Sequence, residues 1–279
     1  MKKRKVKKKR AVVWFLLFVL IVGIDVYFIK YLLTDDSVIA TTDTSVSEES
    51  VNEANKDNLS GKHANNSKED GVDTSSNKVL LDVPYMNQKK DYINACESIS
   101  TVMALHYLGI DITVDDFINK YLDKGKVPYY DENGVYTGSD PWKVFPGDPT
   151  DETGWGCYAP VIVNALNKFL DKDTYDVQEL YNEKISTLCS EYIDKGVPVI
   201  FWATINMQAP YKGASWKLMD SDKEFTWIRP MHCVLLIGYD DHYYYFNDPW
   251  RNKASKYKKA DVERAYRGLY QQAVVVTKK

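Results

Sequence analysis

"YINACESISTVMALHYLGI", residues 92–110, puts a cysteine directly after a polar turn, at the head of a run that reads as an amphipathic helix ending at Gly109. Free cysteines are among the most buried residues of proteins, so a structural thiol is one reading of Cys96. The other is a nucleophile: the first turn of a helix offers unpaired N–H groups and the positive end of the dipole, and both favour a thiolate. Position alone leaves the two open, because thiol chemistry also needs a base within reach and a group to orient that base.

Four histidines are available. His63 lies in a polar stretch and His242 in the turn "YDDHY", where both read as solvated. His106 is ten residues beyond Cys96 on the same helix, about 15 Å along its axis, too far to be its base. His232 opens the strand "HCVLLIGYD". Alternation puts it on one face with Val234 and Leu236, and Cys233 on the other with Leu235 and Ile237. After the turn at Asp240 and Asp241, "YYYFNDPW" returns antiparallel and brings Asp248 back toward the level of His232. A carboxylate there could hold the imidazole Nδ1–H. Taken singly, His232 could be a structural histidine and Asp248 a turn former before Pro249. The order cysteine on a helix, histidine on a strand, aspartate on the next strand raises all three together.

Around these residues, "KVLLDVP" predicts a short strand and "TVDDFINKYL" a helix with Thr113 and Asp116 in capping-box spacing. Residues 123–153 read as loop, and "APVIVNALNKFL" as a helix with Pro160 in its first turn. "ISTLCSEYIDKG" predicts a helix closing at Gly196. The strands "VPVIFWAT" and "QQAVVVT" and the helix "ADVERAYRGL" complete an α+β pattern without internal repeats.

The N-terminal end is of another kind. Residues 1–10 hold eight of the 36 Lys and Arg, leaving 28 basic against 39 acidic residues beyond them. The overall charge of −3 thus conceals a basic flank and an acidic remainder. Residues 11–33, "AVVWFLLFVLIVGIDVYFIKYLL", are long enough to cross the roughly 30 Å hydrocarbon core. The cationic flank belongs in the cytoplasm, which sends the rest outside and argues against nucleic acid as the partner of residues 1–10. A cleaved signal peptide is the alternative, but no clear small-x-small site occurs closely behind it. Residues 34–78 contain no aromatic residue and read as a disordered linker, leaving a domain of 201 residues at 79–279.

Further signals weigh less. Cys157, Cys189 and Cys233 complete an even count of four. A Cys157–Cys189 bridge and three buried thiols are both open, and no two ligands stand at zinc spacing apart from the divergent His232 and Cys233. Most tryptophans read as packing groups. Trp250, two residues after Asp248, is expected to line the site and shield the His232–Asp248 pair.

"LDVPYMNQ", "ACES" opening a helix, "MHCVLLIGYDD" and "FNDPW" together resemble the peptidase family thirty-nine-like group of papain-fold cysteine peptidases, related to bacteriocin double-glycine leader peptidase domains. "GCYAPVIVNAL" and "GVPVIFWAT" resemble the group's middle elements, so the resemblance spans residues 79–279. It implies a papain-like α+β fold, with N-terminal helices packed on a C-terminal antiparallel sheet. It makes Cys96 the nucleophile, His232 the base and Asp248 its orienter. Gln88 would join the Cys96 amide in holding the oxyanion, with Asn87 or Asn94 as alternatives. Glu97 departs from the glycine common in leader peptidases, and a carboxylate there opposes thiolate formation. The "CGSCW" signature of lysosomal cathepsins is missing, no ATPase motif comes after the domain, and the expected topology faces away from the cytoplasm; leader processing is therefore not the expectation. The expectation is a membrane-anchored, extracytoplasmic, monomeric thiol hydrolase acting on a peptide or protein without cofactor or metal, secreted if the N-terminal segment is cleaved. An acyltransferase using the same triad and a catalytically silent peptide- or glycan-binding module are the alternatives.

Overall fold

The computed structural model describes residues 78–88 and 91–279. The basic flank, the apolar segment 11–33 and the linker up to residue 77 lie outside the described residues. Among those described, no helix is long and apolar enough to cross a membrane.

The elements are β1 (Val79–Leu80), α1 (Cys96–Tyr107), α2 (Val114–Lys120), β2 (Lys124–Gly125), β3 (Tyr129–Tyr130), β4 (Tyr136–Gly138), β5 (Phe145–Pro146) and α3 (Ala159–Phe169). They continue with β6 (Tyr175–Tyr181), α4 (Ile185–Glu191), β7 (Val199–Thr204), β8 (Tyr211–Leu218), β9 (Glu224–Arg229) and β10 (Met231–Tyr239). The last are β11 (Tyr243–Asn247), β12 (Ser255–Lys258), α5 (Lys259–Gly268) and β13 (Gln272–Lys278). The main sheet runs β12-β11-β10-β7-β13-β6, with β1 beside β10 as its seventh strand. Every pairing in it is antiparallel.

The central strands dictate the layering. All of β7 is buried, and so are seven consecutive residues of β10, so both faces of the sheet must be covered. Cys233, Leu235, Ile237 and Trp202 pack with α1 and α3 on one face; Val234, Leu236, Phe201 and Val275 pack with α4 and α5 on the other. The alternation expected along residues 233–237 therefore holds. Helices thus cover both faces: α4 and α5 close the side opposite α1 and α3 because β7 and β13 carry apolar residues in both directions.

Helix α1 is also not amphipathic. Ten of its residues, Cys96 through Leu105, are buried. Its polar positions are tolerated because they find backbone partners: Ser100 Oγ donates to Cys233 O at 3.2 Å and Thr101 Oγ1 to Glu97 O at 2.7 Å. The helix stops as expected, with Gly109 at φ +77°. The cap of α2 is present too, Thr113 Oγ1 accepting from Asp116 N at 3.0 Å.

The region 123–153 is less irregular than expected. It contributes β3 and β4 to a second sheet, β3-β4-β8-β9, and β2 pairs in parallel with β5. One side chain ties the main sheet to the helical layer above it. Trp202, fully buried on β7, donates its indole N–H to Cys157 O at 2.8 Å and so fixes the segment leading into α3. Trp202→Ala is expected to cost about 3–5 kcal/mol of stability, measured by urea unfolding monitored with circular dichroism.

Candidate active site

Cys96 opens α1, and Ala95 before it supplies no side-chain cap. The thiol is 8% exposed. Its hydrogen bond runs to the next residue: Cys96 Sγ donates to Glu97 Oε2 at 3.2 Å. Glu97 is completely buried, and its Oε1 accepts the Cys157 amide at 2.8 Å. The carboxyl therefore lies between the nucleophile candidate and a backbone segment that Trp202 holds from its other side. Burial raises the Glu97 carboxyl above the ordinary range, and the hydrogen bonds from the Cys157 amide and Cys96 only partly offset this. Burial, and next the negative charge of Glu97, push the Cys96 thiol well above its ordinary value. In this resting arrangement the helix N-terminus does not win: desolvation and a neighbouring carboxylate outweigh it.

His232 stands at the beginning of β10, paired across to Ala203 of β7. Its Nε2 meets Asp248 Oδ1 at 2.8 Å, with both side chains nearly fully buried. The sequence pattern pointed to the other ring nitrogen. With Nε2 on the carboxylate, Nδ1 is the nitrogen that makes no hydrogen bond among the described residues, and it is the one available to move a proton. The hairpin supplies the approach: Leu235 pairs with Asn247, which leaves Asp248 just beyond the end of β11.

Asp248 is a well-supplied carboxylate. Oδ1 also accepts the Trp250 amide at 2.9 Å, and Oδ2 accepts the Tyr257 hydroxyl at 2.6 Å. Burial alone would raise its pKa, but the His232 hydrogen bond and charge, Tyr257 and the Trp250 amide outweigh it and hold the carboxyl below the usual value. Tyr257 is a residue that the sequence reading missed; nothing in "SKYKK" distinguishes it from an alternating edge-strand tyrosine. Trp250 is 40% exposed, and the hydrogen bond that it gives Asp248 comes from its backbone N–H.

Gln88 is 1% exposed and is tied to the aspartate loop by its own amide, which donates to Pro249 O at 3.0 Å. Tyr85 reinforces the same contact through its hydroxyl, donated to Asp248 O at 3.2 Å and Arg251 O at 2.9 Å. Gln88 Nε2 gives one hydrogen to Ile93 O at 3.1 Å, and its buried Oε1 has no partner among the described residues. The alternatives are engaged elsewhere, Asn94 Nδ2 with Asp151 O at 2.8 Å and Asn87 Nδ2 with the Tyr85 hydroxyl at 3.1 Å. The structure thus joins Gln88, His232, Asp248 and Tyr257 through one connected set of contacts and couples Cys96 to Glu97. His106 bonds Ile112 O at 2.9 Å and takes no part. All four cysteines are free and buried, which leaves no Cys157–Cys189 bridge.

A buried imidazole–carboxylate pair beside a helix that begins on cysteine, within a mixed helix and sheet fold, defines a cysteine peptidase-like domain. Residues 80–274 match the Peptidase_C39 like family, and the chain belongs to it. It is 32% identical over 201 residues to the uncharacterized protein YvpB of Bacillus subtilis strain 168, covering 71% of this chain and 76% of that protein. It also superposes on the crystal structure of a Bacillus anthracis protein assigned as a C39-like peptidase, with a TM-score of 0.61 and 26% identity, over 72% of this chain and 98% of that one.

Glu97→Gln keeps the shape of the buried carboxyl and removes its charge. Because that charge raises the thiol pKa, its loss lowers it, and iodoacetamide should alkylate Cys96 several-fold faster at pH 7. Peptide mapping after brief labelling measures this; an unchanged or slower rate would mean that Glu97 does not restrain the thiol.

Proposed function

We propose that this chain is a thiol hydrolase that cleaves a peptide or isopeptide bond through an acyl-enzyme, with Cys96 as nucleophile, His232 as base and Asp248 as the group that orients it. The observation that carries the proposal is the 2.8 Å bond between His232 Nε2 and Asp248 Oδ1 in a buried setting. That bond fixes the ring and favours the imidazolium that forms when the base takes the thiol proton. For the reaction to begin, the proton now shared with Glu97 must pass to His232 Nδ1. Sγ then attacks the carbonyl carbon, and the oxyanion is held by the Cys96 amide and the second hydrogen of Gln88 Nε2. The imidazolium returns its proton to the leaving amine, and water deprotonated by His232 releases the acyl group. An amine in place of water gives the transferase variant.

Residues 11–33 serve in this proposal as an uncleaved anchor, with residues 1–10 in the cytoplasm and the domain outside the membrane on the linker 34–78. The length of the apolar run and the basic flank support this reading. The substrate is a peptide or protein, and the acting unit is the monomer.

The contacts of Cys96 favour one second reading, a peptide-binding module on the same fold, since the thiol is nearly buried and bonded to a carboxylate. Alkylation rate against pH separates the two. His232→Ala should slow Cys96 alkylation at pH 6 sharply, because a thiol that burial and Glu97 already hold well above its ordinary value then has no base to take its proton. Asp248→Asn should act in the same direction but less strongly, because an amide oxygen still accepts from Nε2–H without stabilising the imidazolium. If His232→Ala leaves the rate at pH 6 intact, His232 does not take the Cys96 proton and the binding-module reading replaces the hydrolase.

A further inference from the structure

Beside the site lies a cleft of about 370 Å³ with Asn94, Trp155, Ala214, Trp227, Arg229 and Met231 on its walls. Two of these adjoin the reacting groups in sequence, Asn94 two residues before Cys96 and Met231 immediately before His232. A third link is spatial. A side chain at Gly156 would meet Met231 Cε at 2.4 Å, Glu97 Oε1 at 2.8 Å and Trp227 Cη2 at 3.2 Å, so the cleft wall and the carboxyl that restrains Cys96 pack on the same glycine. Gly156 adopts φ +125°, and any other residue there would close this junction.

The wall is rigid. Trp155 stands edge-on between two buried indoles, with centroids 5.1 Å from Trp216 and 5.7 Å from Trp227. Trp216 is fixed in turn by its N–H bond to Ser139 O at 3.0 Å. Opposite Trp227 the hairpin is irregular: Lys212 pairs with Ile228 and Ser215 with Thr226, so Gly213 and Ala214 face a single residue. This is a β-bulge, a feature that ends ladder pairing and re-aims side chains. It leaves Ala214, with its small methyl side chain, in the lining of the same cleft as Trp227. The Arg229 stem packs over Gly213, within 2.9 Å of where a Cβ would lie, and Arg229 and Glu152 form no salt bridge among the described residues. The cleft is therefore preorganised, with the aromatic side chains of Trp155 and Trp227, the small Ala214 and the polar Asn94, Glu152 and Arg229 all in its lining.

We infer that this cleft is the subsite for an extended peptide segment and accepts a large apolar side chain, aromatic or branched aliphatic, of the residue flanking the scissile bond. Indole faces reward apolar area, and a fixed wall loses little entropy when the side chain enters. The polar lining groups suit the main chain on either side of that residue. The inference deepens the hydrolase reading and rests on it for calling the occupant a substrate.

The test uses the full chain carrying Cys96→Ala, which binds without turnover. Acetylated pentapeptide amides Ala-Ala-X-Ala-Ala, with X as Phe, Leu, Ala, Asp or Lys, compete against a dye-labelled Phe peptide monitored by fluorescence anisotropy. The Phe and Leu peptides should bind at least about tenfold more tightly than the other three, the discrimination a hydrophobic pocket gives for a few methylenes. Adding Ala214→Phe, at an exposed position where folding is retained and circular dichroism can verify it, should remove the preference. Adding Trp155→Ala should weaken Phe binding most. No binding of any peptide, equal binding of all five, or a preference that survives Ala214→Phe would overturn the inference. Alkylation of Cys96 in the wild-type chain reports on hydrolysis separately. A Phe preference with an inert Cys96 sinks the hydrolase and keeps the cleft, whereas a reactive Cys96 with no preference sinks the cleft alone.

Discussion

His232 and Asp248 are 16 residues apart, and each exposes almost nothing to solvent. Neither could be placed there alone, because an unpaired buried charge costs several kcal/mol, and removing one partner of such a pair typically costs about 3–5 kcal/mol. The pair consequently constrains its surroundings. The β10–β11 hairpin must return the chain in register, β7 must support β10 from its other edge, and the remaining lone pairs of Asp248 must be met. The Tyr257 hydroxyl and the Trp250 amide meet them, while Tyr85 and the Gln88 amide bind the backbone of the same loop. The oxyanion candidate is therefore located by the same contacts that locate the base.

The opposite half of the site obeys a different logic. Helix α1 enters a fully apolar layer, so everything in its first turn is desolvated, and Glu97 comes with it. A buried carboxyl needs donors, and it takes them from the Cys157 amide and the Cys96 thiol. The Cys96 thiol is thus tied to the residue beside it. Burial and charge act in one direction on the thiol, the helix terminus in the other, and the first two prevail in the resting chain.

Much of this was legible in the sequence where one strong pattern decided it. The alternation in "HCVLLIGYD" assigned Cys233, Leu235 and Ile237 to one face and Val234 and Leu236 to the other, and Thr113 signalled its helix cap. The tight return after Asp240 placed Asp248 near His232. The ring nitrogen was not legible, because hairpin geometry brings the residues together without setting how the imidazole rotates. Helix α1 read as amphipathic because Ser98, Ser100 and Thr101 are polar by type; they are buried because backbone carbonyls satisfy two of them, which no periodicity shows. Strands β6, β8 and β9 were missed since "YDVQELY", "YKGASWKL" and "EFTWIR" mix charged residues into half-exposed sheet edges and a second small sheet. Tyr257 and the Cys157 amide act through long-range contacts, and their local sequence carries no signal of them.

The central claim is that the Cys96 thiol is acylated during turnover. The most direct measurement is acid quenching of the full chain within seconds of adding an activated phenylalanyl peptide thioester, with intact-mass analysis and peptide mapping of the quenched protein. The expected result is a single acyl adduct on the peptide containing Cys96, removed by neutral hydroxylamine and absent from the Cys96→Ala chain. Hydrolysis that persists unchanged in Cys96→Ala, or an adduct confined to another residue, would contradict it.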